Sequence, residues 1–155
     1  MTTDTTLKVL IVNESPTFRY DVMGMLSNLN YKFFQANSGL RAIQSALTNH
    51  PDIILMNMQL PDMTGIECLR RIKQNALTEK IRVIIMREMT REKDVDGITQ
   101  EAYRLGCSDF VTIPIVPAAL ERRMEKLARF VHISNTARSA KDTMAEITLP
   151  RRIRI

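Results

Sequence analysis

"DIILMNMQLPDMTGIE", residues 52–67, decides how this 155-residue chain is read. Asp52 to Met58 is too short for a buried helix, and it is continuously apolar up to Asn57. Such a run is what a central parallel strand, covered on both faces, is made of. Its apolar character breaks on an amide, Asn57, at a place where a carboxylate would be chemically useful. Pro61, Asp62, Thr64 and Gly65 then supply loop chemistry, and Thr64 is placed to cap a helix whose inner face includes Ile66, Leu69 and Ile72.

The same grammar recurs on either side. Leu7 to Val12 (LKVLIV) is a short β-branched run closed by Asn13 and Glu14, with Ser15 as a cap and Pro16 as the first residue of a helix. Phe18, Val22, Leu26 and Leu29 give that helix one apolar face. Lys32 to Ala36 reads as a second strand, followed by a helix over Ser38 to Leu47 that carries Leu40, Ile43 and Leu47. Arg82 to Met86 is a fourth strand, and a charged stretch from Arg87 to Asp96 leads into a helix that closes at Leu105 and Gly106. Asp109 to Thr112 is the fifth strand. Pro117 opens a last helix with Leu120, Met124, Leu127 and Val131 at spacings of four, three and four.

Five strands alternating with five helices specify an α/β fold, a doubly wound parallel sheet with helices on both faces, because parallel neighbours need crossover connections. In such sheets the site lies at the carboxyl ends of the strands. Those ends carry Asn13, Glu14, Asn57, Arg87 and Ile113.

The length allows about one domain. Two cysteines, Cys68 and Cys107, with no secretory signal fit reduced thiols and a cytoplasmic protein better than a disulfide framework, and neither has a partner at metal-ligand spacing. No stretch approaches the roughly 20 apolar residues that span a bilayer, so no membrane partner is expected. The formal net charge of +5 is uneven. Residues 1–117 hold 13 basic and 13 acidic side chains, whereas residues 118–155 hold nine and four. The excess therefore lies in the C-terminal part, which suits an acidic partner, a nucleic acid or simply a solvated tail.

The pattern over residues 7–131 resembles the receiver domain of bacterial two-component response regulators. The matching pieces are "VLIVNES" at the first strand, "PDIILMNMQLPDMTGIE" around the third, "IRVIIMRE" at the fourth and "GCSDFVTIPI" at the fifth. Pro51-Asp52, Leu60-Pro61, Asp62 and Gly65 fall at the family's relative spacing. The resemblance implies a five-stranded, flavodoxin-like sheet in the order 2-1-3-4-5, with the Ile113-Pro114 bond cis. It also implies a chemistry: an aspartate ending the third strand accepts a phosphoryl group, two acids after the first strand help it hold Mg²⁺, and a hydroxyl after the fourth strand and a lysine after the fifth bind phosphoryl oxygens. Such transfer needs a hard cation seated on oxygen ligands and neutralised phosphoryl charge.

Four of those five groups are missing. Asn57 stands at the acceptor position, the acidic pair is Asn13 and Glu14, Arg87 replaces the hydroxyl, and Ile113 replaces the lysine. Asp62, on the loop beyond Pro61, is the alternative acceptor. Arg87 either reaches inward to pair with Glu14 and the Asn57 carbonyl or points to solvent from a loop. Phe110, where the family has a ring coupled to the phosphoryl site, reads as a fixed packing residue. The expectation is a pseudo-receiver without catalytic residues, metal or cofactor, working as a protein-interaction module and not as an enzyme.

Its expected partner is a signalling protein, met on the face of the fourth helix, fifth strand and fifth helix, with a homodimer as a further possibility. Gly97 and the mixed charges from Arg91 to Asp96 suggest a shortened or displaced fourth helix. Residues 132–155 read as a basic extension, partly helical or disordered, whose apolar spacing fades after Ile133, so a long coiled coil is not expected. Pro150 stops any helix, and Arg151, Arg152 and Arg154 form a basic tail in which Arg and Ile alternate as in an added strand. A nucleic-acid regulator using that tail is the second reading, weakened by the lack of aromatic residues after Phe130. A conventionally phosphorylated regulator is the third, and a small molecule in the vacated pocket has no Gly-rich phosphate cradle to support it.

Overall fold

A computed structural model describes residues 6–89 and 95–148, with side chains described for 6–89 and 97–132. The charged residues 91–94 and the basic tail with Arg151, Arg152 and Arg154 lie outside the described residues.

Ten elements alternate along the chain: β1 (Leu7–Val12), α1 (Pro16–Met25), β2 (Tyr31–Ala36), α2 (Gly39–Asn49), β3 (Ile53–Asn57), α3 (Gly65–Gln74), β4 (Arg82–Glu88), α4 (Val95–Arg104), β5 (Asp109–Ile113) and α5 (Pro117–Thr148). All four strand pairings are parallel and the order is β2-β1-β3-β4-β5. This is the doubly wound sheet that the sequence implies. Ile53 to Met56 and Val83 to Met86 are fully buried, as continuous apolar strands must be when helices cover both sides of them.

The sheet divides the interior into two apolar clusters. One joins Leu10, Val12, Ile54, Met56, Val83 and Ile85 to α2, α3 and α4; the other joins Val9, Ile11, Leu55, Ile84 and Met86 to α1 and α5. Alternate strand residues enter alternate clusters, the period-two rule of a strand applied to both faces at once. Leu120, Met124, Leu127 and Val131 are the α5 stripe buried in the second cluster.

Local chemistry fixes the helix starts. Ser15, Ser38 and Thr64 each accept a backbone N–H three residues ahead, from Phe18, Arg41 and Glu67. Gly106, at φ +102°, makes the left-handed turn after α4, a conformation that favours glycine. The Ile113-Pro114 bond is cis, as the resemblance implies.

Three boundaries differ from the sequence reading. β4 continues to Glu88 and β5 to Ile113, so Arg87 and Ile113 are strand residues. Pairing of Arg87 with Thr112 and Glu88 with Ile113 extends both strands past the point where apolar patterning stops. α1 ends at Met25, short of Leu29, and Leu29 packs on the α1/α5 cluster from the following turn. α5 runs to Thr148, and its last turns are the helical part of the extension beyond Val131.

Candidate functional site at the mouth of the sheet

The carboxyl ends of β1, β3, β4 and β5 open on one edge of the molecule. Register aligns Val12 with Met56, Asn57 with Met86, and Arg87 with Thr112. The residues that follow or end these strands, Asn13, Glu14, Asn57, Arg87 and Ile113, therefore share that mouth.

The β1 side is closed by hydrogen bonds. Asn13 is buried; its backbone N–H donates to the Ala36 carbonyl at 3.1 Å, and its Oδ1 accepts the Ser15 N–H at 2.8 Å. This is the turn that Asn and Asp side chains make two residues ahead of themselves. Glu14 is exposed. Arg19 turns back from α1 and donates through Nη1 to the carbonyls of Asn13, at 2.6 Å, and Glu14, at 3.3 Å, while its Nε donates to Gln35 Oε1 at 3.0 Å. Arg19 is thus a cation that the fold sets beside Asn13 and Glu14, and the sequence reading missed it. Its signal was a cation near the N-terminal end of a helix, where the helix dipole disfavours positive charge and some compensating acceptor is needed.

The β3 side is closed in the same manner. The half-buried Asn57 donates from Nδ2 to the Gln59 carbonyl at 2.8 Å. An amide faces a carbonyl with its nitrogen, so the donor end of Asn57 is fixed by its partner. The Gly65 N–H donates to the Met58 carbonyl at 2.6 Å, and the Met58 N–H to the Met86 carbonyl at 2.8 Å. Gly65 sits so near that a Cβ there would lie 2.5 Å from the Asn57 carbonyl oxygen and 3.1 Å from Met58 Cα.

Asp62 serves a helix. Its two carboxylate oxygens accept the N–H groups of Gly39, at 2.8 Å, and Leu40, at 2.9 Å, at the start of α2. The Leu40 N–H above all holds this carboxyl below its ordinary range. An anion at a helix N-terminus is favourable, and both its oxygens are engaged.

Arg87 leaves the sheet toward α4. It lines a groove of about 240 Å³ with Glu88, Met89, Thr99, Phe110, Val111 and Thr112. Phe110 packs on the α2/α3/α4 cluster and against Tyr103, with ring centroids 5.6 Å apart. Asp109, a second residue the sequence reading did not single out, gathers this region: its Oδ1 accepts the Phe110 N–H at 2.8 Å, the Arg123 guanidinium at 2.5 Å and the Tyr103 hydroxyl at 3.5 Å. Burial and then the Asp109 charge raise the Tyr103 phenol above its ordinary value. Ile113 is half-buried against the opposite, α1/α5 cluster, and its carbonyl accepts the Met89 N–H at 3.2 Å.

What this mouth offers to chemistry follows from its donors and acceptors. Mg²⁺ requires oxygen ligands. Asn57 presents an N–H donor to the Gln59 carbonyl, the Asn13 side-chain oxygen takes a backbone N–H, and Glu14 supplies the one acid among the mouth positions. These residues do not fit that ion. Among the described residues, no three His, Cys, Asp or Glu side chains gather as a metal-ligand set. Cys68 and Cys107 are buried free thiols, pushed up to about 12 and about 11 by burial, and so held as thiols. No described helix is long and apolar enough to cross a membrane.

Known proteins carry this architecture. The family profile described as response regulator receiver domain matches residues 9–125. Protein PilH of Pseudomonas aeruginosa is 30% identical over 108 residues, covering 70% of this chain and 86% of that protein. The polar-differentiation response regulator DivK of Brucella abortus is 30% identical over 117 residues, covering 75% of this chain and 92% of that one. A protein-glutamate methylesterase/protein-glutamine glutaminase of Thermotoga maritima is 30% identical over 95% of this chain, which spans only 44% of the methylesterase. Among solved structures, the chemotaxis response regulator CheY4 of Vibrio cholerae superposes with a TM-score of 0.70 at 21% identity, covering 79% of this chain and 98% of that chain, a likeness of fold.

Proposed function

The chain belongs to the response regulator receiver domain family of two-component signalling, and from that premise we propose that it is a pseudo-receiver whose output is protein binding independent of phosphorylation. One observation carries this reading. Where the family's acceptor carboxylate belongs, the neutral Asn57 amide donates a hydrogen bond to the Gln59 carbonyl at 2.8 Å. An amide nitrogen so engaged is no nucleophile, and a donor facing a carbonyl leaves no anionic seat for a cation. The Ile113 side chain, packed on apolar neighbours, supports the same reading, since an isoleucine brings no ammonium to the position where the resemblance expects a lysine.

Binding is assigned to the face of α4, β5 and α5. The groove beside Arg87 and Phe110 opens there, with the exposed Met89 in its lining and the exposed Tyr103 against Phe110. A partner docking on this face would bury those side chains while Asp109 keeps its backing rigid.

Intact-mass measurement after incubation with Mg²⁺ and a small phosphodonor is the direct test: the protein gains no phosphoryl mass, and an adduct on the wild-type chain overturns the reading. In the Asn57→Asp variant a second acceptor faces the Gln59 carbonyl. We expect a loss of about 1–2 kcal/mol in denaturant unfolding, as when a hydrogen-bond donor is removed, and partial recovery with Mg²⁺ that the wild type does not show. Pull-down beside a Tyr103→Glu variant tests the face; retention of partner by that variant would move binding elsewhere.

A further inference from the structure

Helix α5 bears two apolar stripes. Leu120, Met124, Leu127 and Val131 face the sheet and are buried. Continued at the same spacing, that register reaches Ser134, Arg138 and Lys141, which is why it fades. A second stripe begins one residue earlier, at Phe130, and passes through Ile133, Ala137, Ala140, Met144 and Ile147 at spacings of three, four, three, four and three. One residue back is a rotation of about 100° around a helix, so the two stripes lie on different faces of α5. Phe130, its first member, is 47% exposed.

Helical backbone persists to Thr148. Residues 132–148 would measure about 25 Å at 1.5 Å per residue. Ser134, Asn135, Thr136, Ser139 and Thr143 are weak helix formers, and an isolated helix of about this length is marginal in water. A stripe of average spacing 3.5 is the seam that meets a second helix with the same repeat.

The flanking residues select a copy of this chain as that helix. With positions 130, 137 and 144 as a and 133, 140 and 147 as d, a parallel in-register seam sets Arg129 across from Ser134, Thr136 from Lys141, and Thr143 from Thr148. No like charges meet. The charges of the extension, Arg138 and Lys141 against Asp142 and Glu146, also cancel, so self-association is unopposed and a strongly charged partner finds nothing to complement. Ala137 and Ala140 at the middle of the seam suit close approach of two like helices.

We infer that residues 130–148 form a parallel two-helix seam with the same segment of a second copy, a dimer distinct from contacts on the α4–β5–α5 face. It forms whether or not Asn57 ever meets a phosphodonor. Sedimentation equilibrium of the full chain should give twice the chain mass, and Met144→Glu and Ala137→Glu should each restore the monomer while the domain still melts cooperatively. Arg138→Glu, outside the seam, should remain dimeric. Ile147→Cys should cross-link copies on mild oxidation, since Cys68 and Cys107 are buried. A wild-type monomer at high micromolar concentration overturns the inference and leaves residues 149–155 or another protein to cover the stripe. A dimer that survives Met144→Glu, or that Tyr103→Glu abolishes instead, overturns it as well, and failure of Ile147→Cys to cross-link overturns the parallel register.

Discussion

The two halves of the sheet mouth are built differently. Around β1 and β3, internal hydrogen bonds engage most of the named polar groups: Asn13 by Ser15 and Ala36, the Asn13 and Glu14 carbonyls by Arg19, the Asn57 amide nitrogen by Gln59, and Asp62 by the first turn of α2. Around β4 and β5 a groove of about 240 Å³ stands between Arg87, Thr99 and Phe110, rimmed by the exposed Met89. The half with the positions that the family resemblance gives to the acceptor and the cation is held by internal hydrogen bonds, while the half turned to α4 keeps open surface. One side of the mouth is thus fastened by internal hydrogen bonds and the other keeps a groove, a division that suits the proposed role in recognition.

The sharpest way to break that comparison is Gly65→Ala on the closed half. Its Cβ would meet backbone atoms of Asn57 and Met58, which cannot swing aside, so chemical denaturation should show a loss of about 2–3 kcal/mol with the fold otherwise retained. A loss under half a kcal/mol would mean that the loop after β3 is looser than its hydrogen bonds suggest.

Next in size is Arg19→Ala. It frees two carbonyls at the end of β1, and because the guanidinium is only half-buried we expect about 1 kcal/mol. Hydrogen exchange at Asn13 and Ser15 should accelerate in the variant, and unchanged protection there would assign Arg19 to the surface only.

Asp62 adds a pH dependence. Its folded pKa lies below its unfolded value, so its stabilisation is present above the ordinary carboxylate range near 4 and fades as pH falls through the folded value. Asp62→Asn should accordingly narrow the stability difference between neutral and acidic solution, and an unaltered acid limb in thermal melts would show that the cap does not contribute. The smallest effect belongs to the open half: Met89→Ala, at a side chain 81% exposed, should shift stability by less than about 0.5 kcal/mol. A larger loss would make Met89 part of the framework and not of its rim.

Most of the architecture was legible because burial on both faces writes continuous apolar runs at β1, β3 and β4, and because Ser15, Ser38 and Thr64 announce their helices. The ends of β1 and β3 were legible too, since Asn13 and Asn57 mark the change from apolar to polar. What escaped were contacts between residues distant in sequence. Arg19 reaches back across the α1 turn, and Asp109 joins Tyr103 to Arg123, pairings that depend on where three elements cross. The extra strand residues Arg87 to Glu88 and Ile113 hold their conformation through mutual pairing, not through any preference of their own.

Asp109 has a mechanical consequence. A single carboxylate oxygen fastens the start of β5, the Tyr103 hydroxyl of α4 and the Arg123 guanidinium of α5. Since Arg123 lies in the second turn of α5, whatever tilts Tyr103 pulls through Asp109 on the root of that helix, so the groove and the start of α5 move as one piece.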